Sequence, residues 1–146
     1  MRDMTTQLHF SVVPPQVVDV IWPQAKEMLT RAVDSSLGVY DIDSVYAGLM
    51  SGEYVLWVVL DDTDPIAAIT TRVCDYPNGR GLALDWIGGE RMGEWLPMVQ
   101  EVMERYAKDN GCTHIEGYGR KAWGRWLQKY GWKPAYIAYR MELTDG

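Results

Sequence analysis

The sequence predicts one α/β domain, in which helices are layered on a mixed β-sheet. The chain has 146 residues, which is the usual length of a single domain. Hydrophobic residues make up 47% of it and charged residues 23%, as in globular proteins. Stretches with the two-residue period of strands alternate with stretches that have the 3.6-residue period of helices. The predicted order is β-α-α-β-β-β-α-β-α-β, within one domain over residues 1–146.

The first part of the chain predicts a strand and then a helix. Leu8–Val13 alternates and is rich in strand-forming residues. An apolar segment follows the pair Pro14-Pro15 and predicts a short helical stretch. Pro23 is expected to break that stretch and to begin a new helix, because the residue before a proline avoids the α region. That helix is predicted to run to about Val33.

A second helix and three successive strands are predicted in the middle of the chain. Asp41 or Asp43 can cap a short helix, which ends at Ser51-Gly52. The strands are apolar and rich in β-branched residues, and turn-forming pairs such as Asn78-Gly79 separate them. The three strands are Tyr54–Leu60, Ile66–Val73 and Gly81–Ile87, and Gly88-Gly89 closes the third.

The C-terminal part predicts a long helix, a short strand, a further helix and a last strand. Apolar residues at i, i+4, i+7 and i+11 from Trp95 form one helical stripe. The pair Asn110-Gly111 is typical of a helix end. The four segments are a helix from about Glu94 to Asn110, a strand from Cys112 to Glu116, a helix from Arg120 to Tyr130 and a strand from Tyr136 to Leu143.

Charge and composition narrow the classes of function. Residues 1–104 carry 6 Lys and Arg against 16 Asp and Glu, whereas residues 105–140 carry 8 basic residues against 2 acidic ones. The acidic body disfavours general binding to nucleic acid. No apolar run reaches the ~18 residues that span a bilayer, and no export signal is recognisable. We expect a cytoplasmic protein without a membrane partner, with Cys74 and Cys112 as thiols and no metal site.

The end of the chain carries the residues by which it resembles a known family. Tyr130-Gly131-Trp132, followed by Tyr139-Arg140-Met141-Glu142-Leu143, resembles the GCN5-related N-acetyltransferase (GNAT) superfamily, as does the order of elements. The similarity covers nearly the whole chain as order and length, and residues from about 80 to 143 in detail. Gly111–Glu116 with Gly119–Trp123 is also similar to small GNAT-like proteins of T7-like phages. The resemblance implies acetyl-CoA as cofactor and an amine as acyl acceptor.

The resemblance also implies a cofactor site after the fourth strand. In that family a glycine-rich loop binds the pyrophosphate of acetyl-CoA through amide hydrogens at a helix N-terminus. In the corresponding loop, Ile87–Trp95, Gly93 falls on the first family glycine and Trp95 replaces the second small residue. Met92 lies at the arginine position, and Arg91 is one residue off, beside it. Two glutamates add negative charge, and the alternative is a glycine turn that binds nothing. The implied cofactor residues are Trp86, Ile87, Gly88, Gly89, Arg91, Met92 and Gly93.

The family's proton donor is replaced in this sequence. The resemblance places that tyrosine at the position of Leu127, and the usual asparagine seven residues earlier is Arg120. Leu127 cannot donate a proton, so Tyr118 after the fifth strand is the predicted acid, and Tyr130 is a further phenol on the same helix as Leu127. A phenol with a pKa of about 10 can reprotonate a leaving thiolate.

Asp85 is the first candidate for the base that deprotonates the amine. It is the only charged residue in the strand that reads Leu82–Ile87. A carboxylate in a central strand is costly unless it is paired or protonated, and such groups are enriched at functional sites. Glu116 is a second candidate. The alternative for Asp85 is an ion pair with a nearby arginine or a place at a solvated strand end.

Two functions remain open from the sequence. The first is an acyl-CoA-dependent N-acyltransferase that acts on a small-molecule or protein amine. The second is an inactive GNAT-fold protein that binds a phage or host protein, in a virion or during phage assembly. The content of seven Trp and nine Tyr favours such an interaction role. The enzyme interpretation requires a gap between the fourth and fifth strands near Ile87, which the indole of Trp95 must leave open.

Overall fold

A computed structural model describes residues 7–36, 38–117 and 127–144. Its centre is a five-stranded sheet, with strands β1 (Leu8–Val13), β2 (Val55–Asp61), β3 (Asp64–Tyr76), β4 (Gly79–Gly89) and β5 (His114–Gly117). The strands lie side by side in the order β1-β2-β3-β4-β5. The first four are antiparallel neighbours, and β4 and β5 are parallel.

Within these described ranges three α-helices pack on the sheet, α1 (Val18–Asp34), α2 (Ile42–Ser51) and α3 (Met92–Asp109). Asp41 is the N-cap of α2, where its Oδ1 accepts from Ser44 N at 2.8 Å and Ser44 Oγ accepts from Asp41 N at 3.2 Å. This reciprocal pair is a capping box. Gly52, with φ of +85°, ends the helix as predicted. None of the described helices is both long and apolar enough to cross a membrane.

The core has one layer on each side of the sheet. Successive residues of a strand point to opposite faces. Trp57 and Val59 of β2 accordingly pack with α3, whereas Leu56 and Val58 pack with α1 and α2. Strand β2 is thus buried on both faces, which explains its unbroken apolar sequence.

Helix α1 runs through Pro23, so the predicted break at this residue is wrong. A proline inside a helix removes one hydrogen bond and costs about 3 kcal/mol or more. The same helix buries Val18, Leu29 and Val33 almost completely, and each such side chain contributes about 1.5–3 kcal/mol. Packing of the helix on the sheet therefore outweighs the local cost of the proline.

The predicted strand Tyr136–Leu143 is also wrong. Residues 132–144 form no regular element, and Tyr139 is 90% exposed. An alternating sequence forms a strand only where a neighbour supplies the hydrogen bonds of its backbone. The adjacent edge strand β5 has only four residues, and within the described part of the chain the sheet ends there.

The predicted helix Arg120–Tyr130 lies mostly outside the described residues. Its end is a short 3₁₀ turn over Gln128–Tyr130, which is held against α3. Gln100 Nε2 donates to the Tyr130 carbonyl oxygen at 2.8 Å, and Trp132 Nε1 donates to Gln100 Oε1 at 3.0 Å. These two bonds fix the beginning of the C-terminal segment beside the long helix.

Candidate functional site

Strand β4 continues beyond the end of its pairing with β5. Leu84 and Gly117 are the last paired residues of these two strands, whereas β4 stays paired with β3 as far as Gly89. Within the described part of the chain, residues 85–89 therefore have a sheet neighbour on one side only. The gap expected near Ile87 would lie beside this part of β4, next to residues of the chain that follow Gly117 and are outside the described ranges.

A cavity of about 1250 Å³ follows the free edge of β4. Asp85 and Trp86 border it near the middle of the sheet, and Glu90 and Met92 border it at the beginning of α3. The exposed side of α1 forms another wall. One continuous space thus joins a carboxylate in the sheet to the N-terminus of a helix, and its size is sufficient for a ligand.

The side chain of Trp95 lies in the core and not in the gap. It is 1% exposed and packs between α3 and the sheet. Its Nε1 donates to the carbonyl oxygen of Glu90 at 2.7 Å. The indole therefore supports the loop before α3 from the core side, and it does not obstruct the cavity.

A β-bulge brings Asp85 to the cavity. Thr70 of β3 pairs with Trp86 of β4, but the next residue, Thr71, pairs with Leu84. Asp85 is consequently the extra residue on β4. Asp85 thus sits at an irregularity of the strand, and it borders the cavity together with its neighbours Leu84 and Trp86.

Asp85 forms a two-point ion pair with Arg72 of β3. Arg72 Nε donates to Asp85 Oδ2 at 2.9 Å, and Nη2 donates to Oδ1 at 3.3 Å. The Asp85 side chain is 8% exposed and that of Arg72 is 34% exposed. This hydrogen bonding raises the pKa of Arg72 above its ordinary value. The carboxylate thus stays in a buried position with one matching cation.

Arg91, at the beginning of α3, is shared by two carboxylates. Its Nη1 donates to Asp61 Oδ2 at 2.7 Å, and its Nε donates to Glu94 Oε2 at 2.8 Å. These hydrogen bonds raise the pKa of Arg91, and the bond from Arg91 lowers the pKa of Glu94. The cation predicted to meet a phosphate is therefore partly neutralised by its own neighbours.

The two glycines at the end of β4 are required for close packing. A Cβ at Gly88 would lie 2.0 Å from the Met28 carbonyl oxygen of α1, and a Cβ at Gly89 would lie 2.4 Å from the Ile66 carbonyl oxygen. Any side chain would push α1 or β3 away. Approach of the backbone to a ligand is thus not needed to explain these glycines, whereas Gly93 is exposed in the first turn of α3.

No protein-family model and no curated protein sequence matches the chain, but solved structures do. One is an aminoglycoside acetyltransferase from an uncultured soil metagenomic sample in complex with sisomicin, with a TM-score of 0.67 at 10% identity over 94% of this chain and 97% of that chain. An aminoglycoside N-acetyltransferase in complex with CoA gives 0.69 at 13% identity over 98% and 100% of the two chains. A ribosomal-protein-alanine N-acetyltransferase from Brucella melitensis gives 0.66 at 10% identity over 94% and 100%.

The chain has the GNAT fold. The fold expected from the resemblance is confirmed, since the element order and the mixed sheet match over nearly the full length of these structures. At 10–13% identity the similarity concerns the fold, so the chemistry depends on the residues of this chain itself.

The GNAT fold brings some of the predicted site residues to the cavity and not others. Glu116 lies elsewhere on β5, where the Tyr76 hydroxyl donates to its carboxylate, 2.7 Å from Oε1, and His114 Nε2 is 3.0 Å from the same oxygen. The bond to Glu116 raises the pKa of Tyr76. Tyr118 lies outside the described residues. The predicted residues that border the cavity are Asp85, Trp86, Ile87, Gly88, Gly89 and Met92.

The structure adds residues that the sequence did not single out. Arg72 is the partner of Asp85. Tyr54 borders the same cavity, and its ring is buried. Burial raises the pKa of Tyr54 and the charge of Asp85 acts in the same direction, whereas the nearby indole N–H of Trp86 opposes them. In the sequence Tyr54 was only the first residue of an apolar strand, so no local signal distinguished it.

Proposed function

We propose that this protein transfers an acetyl group from acetyl-CoA to the amino group of a small molecule. One observation carries the proposal, namely the continuous cavity from the buried carboxylate of Asp85 to the first turn of α3, along a part of β4 that pairs only with β3 among the described residues. An acyl transfer needs the cofactor and the amine in contact at one place, and this cavity offers room for both.

The backbone of the cavity fits acetyl-CoA. The free edge of β4 presents amide and carbonyl groups that can pair with an extended amide-containing chain, as an added strand would. The first turn of α3 presents N–H groups without intrahelical partners, which suit a pyrophosphate. The residues proposed to hold the cofactor are Trp86, Ile87, Gly88 and Gly89 along the strand, and Arg91, Met92 and Gly93 at the helix. When bound, the cofactor supplies an activated thioester.

The charges around this helix end reduce the expected affinity. Arg91 is already engaged by Asp61 and Glu94, and Glu90 adds a further negative charge beside the cavity. A phosphate must compete with these carboxylates for the same guanidinium. We therefore expect acetyl-CoA to bind chiefly through backbone groups and with modest affinity.

Asp85 is the proposed base. Its carboxylate borders the cavity, is almost fully buried and is oriented by two bonds from Arg72. It can accept the proton of the amine as the amine attacks the thioester carbon. Glu116 does not border the cavity in the described part of the chain, so Asp85 is preferred over it. Tyr118 remains the proposed acid for the leaving thiolate.

The shape of the site favours a small-molecule acceptor. The amine would enter between β4 and the wall of α1, which carries Gln24, Glu27 and Arg31. A recessed cavity with these few polar side chains in an otherwise mostly apolar wall suits a small amine better than a folded protein surface. Two structures that share the fold are aminoglycoside acetyltransferases, which is consistent with this choice. Because the reaction would consume acetyl-CoA, we place the protein in the cytoplasm.

Calorimetric titration with acetyl-CoA tests the proposal, followed by thiol release in the presence of a panel of amines. We expect saturable binding, and amine-dependent thiol release that is lost in Asp85→Asn while binding is retained. Absence of both heat and thermal shift with millimolar acetyl-CoA would refute the enzyme proposal.

The alternative is an inactive GNAT-fold protein that acts by binding another protein, in a virion if the chain is phage-encoded. It is favoured by the apolar Leu127 at the family's acid position and by the exposed apolar residues Met141 and Leu143 of the C-terminal segment. This alternative predicts no turnover and a stable complex with a partner protein. The acetyl-CoA titration therefore separates the two functions.

A further inference from the structure

The last part of the described chain exposes a row of large apolar side chains. They occupy every second position of the segment 137–143, and each is at least 72% exposed. The four members of this apolar row are Ile137, Tyr139, Met141 and Leu143. Soluble proteins rarely leave contiguous apolar patches in water, and such patches commonly mark interaction surfaces. The apolar row therefore indicates that another surface covers it.

The opposite side of the same segment is polar. Arg140 Nε forms an ion pair with Glu142 Oε1. Side chains two residues apart lie on one side where the backbone is extended, as in a strand, so the apolar row lies on the other side. Ala138, on the side of Arg140, borders the cavity. The segment thus has the two-sided pattern of a strand, with its apolar side turned away from the cavity.

The segment has no sheet neighbour among the described residues. The backbone groups of Tyr139, Met141 and Leu143 form no hydrogen bond with another described residue. Backbone groups along the edge of an extended segment are a template for pairing with another chain. The alternating sequence, which by itself predicts a strand, therefore lacks the neighbour that a strand needs.

We propose that this neighbour is a second copy of the chain, whose segment 137–143 pairs antiparallel with the first about Met141. The charges favour this register. When Met141 lies opposite its own counterpart, Arg140 of each copy lies opposite Glu142 of the other, and opposite charges on facing strands attract. Moving the centre by one residue, to Arg140 or to Glu142, places like charges opposite each other. The exposed pair within each chain is weak, so two pairs between the copies can replace it.

The same register also pairs the apolar row. Tyr139 of one copy lies opposite Leu143 of the other, and the two Met141 side chains meet at the centre. Apolar cross-strand pairs stabilise a sheet, and they remove from water the surface that a single copy exposes. The polar and the apolar side of the segment thus favour one partner in one register. This inference does not depend on the proposed acetyl transfer.

Charge reversal tests the register, with the molar mass measured by sedimentation equilibrium. The wild-type protein is expected to form a dimer whose fraction rises with concentration. Arg140→Glu and Glu142→Arg each place like charges opposite one another at two points, so either variant alone should dimerise at least about tenfold more weakly. An equimolar mixture of the two variants should recover the dimer, because the acidic side chains of one then lie opposite the basic side chains of the other.

The mixture separates pairing between copies from pairing within a chain. Neither variant can form the ion pair of residues 140 and 142 within its own chain, so a recovered dimer requires contact between the two copies. Arg105→Glu is the matched control, because it reverses one charge of an exposed pair with Glu101 on α3. It should leave dimerisation unchanged.

A cysteine at the centre gives a second readout of the register. Opposite residues of an antiparallel pair have Cα atoms about 4.5–5.5 Å apart, which fits a disulfide. Met141→Cys should therefore form a crosslinked dimer under mild oxidation, seen on a non-reducing gel. Tyr139→Cys should not, because position 139 lies opposite Leu143 of the other copy. The wild-type protein controls for the free thiols of Cys74 and Cys112.

Three results would overturn the inference. A wild-type protein that stays monomeric at every concentration would mean that a different molecule covers the apolar row. A dimer that persists unchanged in both charge variants would use another surface. Failure of the mixture to recover the dimer would exclude the register about Met141. None of these results bears on the acetyl-CoA titration, so the proposed function is tested separately.

Discussion

The two ends of the cavity hold their charges in different ways. At Asp85 one almost fully buried carboxylate faces one guanidinium, that of Arg72. At the beginning of α3, the partly exposed Arg91 is shared by Asp61 and Glu94. A buried pair is costly to break because one charge is left behind, whereas exposed charges are screened and weakly coupled. The Asp85 carboxylate at the proposed chemical end is therefore held in one position by its ion pair. At the proposed cofactor end, the ion pairs of Arg91 can rearrange, and this end is called the adjustable end below.

The largest effect is expected at the buried end. Asp85→Asn removes the proposed base but keeps a side chain that can accept a hydrogen bond from Arg72. Acetyl transfer should fall by about 10²–10⁴-fold, while the affinity for acetyl-CoA measured by calorimetry stays the same. Asp75→Asn, which alters an exposed pair with Arg80, is the control. If Glu116→Gln abolishes transfer and Asp85→Asn does not, the assignment of the base is wrong.

The ion pair between Asp85 and Arg72 can also be broken by replacing the arginine. Arg72→Met leaves Asp85 buried and unpaired, so the free energy of unfolding in urea should fall by about 2–3 kcal/mol. This is below the ~3–5 kcal/mol of fully buried pairs, because Arg72 is one-third exposed. The double variant Arg72→Met with Asp85→Leu should recover most of the loss. Unchanged stability of the single variant would mean that the pair behaves like a surface pair.

Trp95 links the core to the adjustable end. Trp95→Phe removes the donor to the Glu90 carbonyl and part of a buried ring, which should lower the free energy of unfolding by about 1–2 kcal/mol. The affinity for acetyl-CoA should decrease slightly as the loop before α3 loosens. A clear increase in affinity would instead show that the indole obstructs the site, contrary to the structure.

The smallest effect is expected at the shared arginine. Glu94→Gln removes one of the two carboxylates on Arg91 and one negative charge from the first turn of α3. Because charges at helix ends are worth about 0.3–1 kcal/mol, acetyl-CoA should bind about two- to fivefold more tightly by calorimetry. Glu101→Gln, farther along the same helix, should leave the affinity unchanged. No gain in Glu94→Gln would place the phosphates away from Arg91.

The same variant has a consequence for the pH dependence of stability. Arg91 lowers the pKa of Glu94 in the folded protein, so this carboxylate stabilises the fold above its unfolded pKa. That contribution is lost as the pH falls through the lowered value. Thermal melts between neutral and acid pH should therefore show a flatter acid decline in Glu94→Gln than in the wild-type protein.

Local patterns predicted most of the elements correctly. The apolar run of β2, the cap at Asp41 and the stop at Asn110-Gly111 each depend on residues close in sequence. The two errors, at Pro23 and at Tyr136–Leu143, have a common cause. In both places the outcome depends on distant packing or pairing partners, which a short window does not contain.

Only part of the candidate site could be predicted from the sequence, for the same reason. A lone aspartate in an apolar strand was sufficient to single out Asp85, and the same sequence pattern left open whether an arginine pairs with it. The identity of that partner could not be found, since Arg72 lies 13 residues away and meets Asp85 only through the register of β3 and β4. Tyr54 reaches the cavity in the same manner, from the start of another strand.

The sequence by itself determined the order of strands and helices from β1 to β5 and the presence of one isolated carboxylate. Only the tertiary structure decided that this carboxylate is paired and that the Trp95 indole packs inward. The physical reason is that periodicity and capping are short-range properties of the chain. Ion pairing and the packing of side chains arise only when strands adopt one register, and between β3 and β4 that register is shifted by one bulge at Asp85.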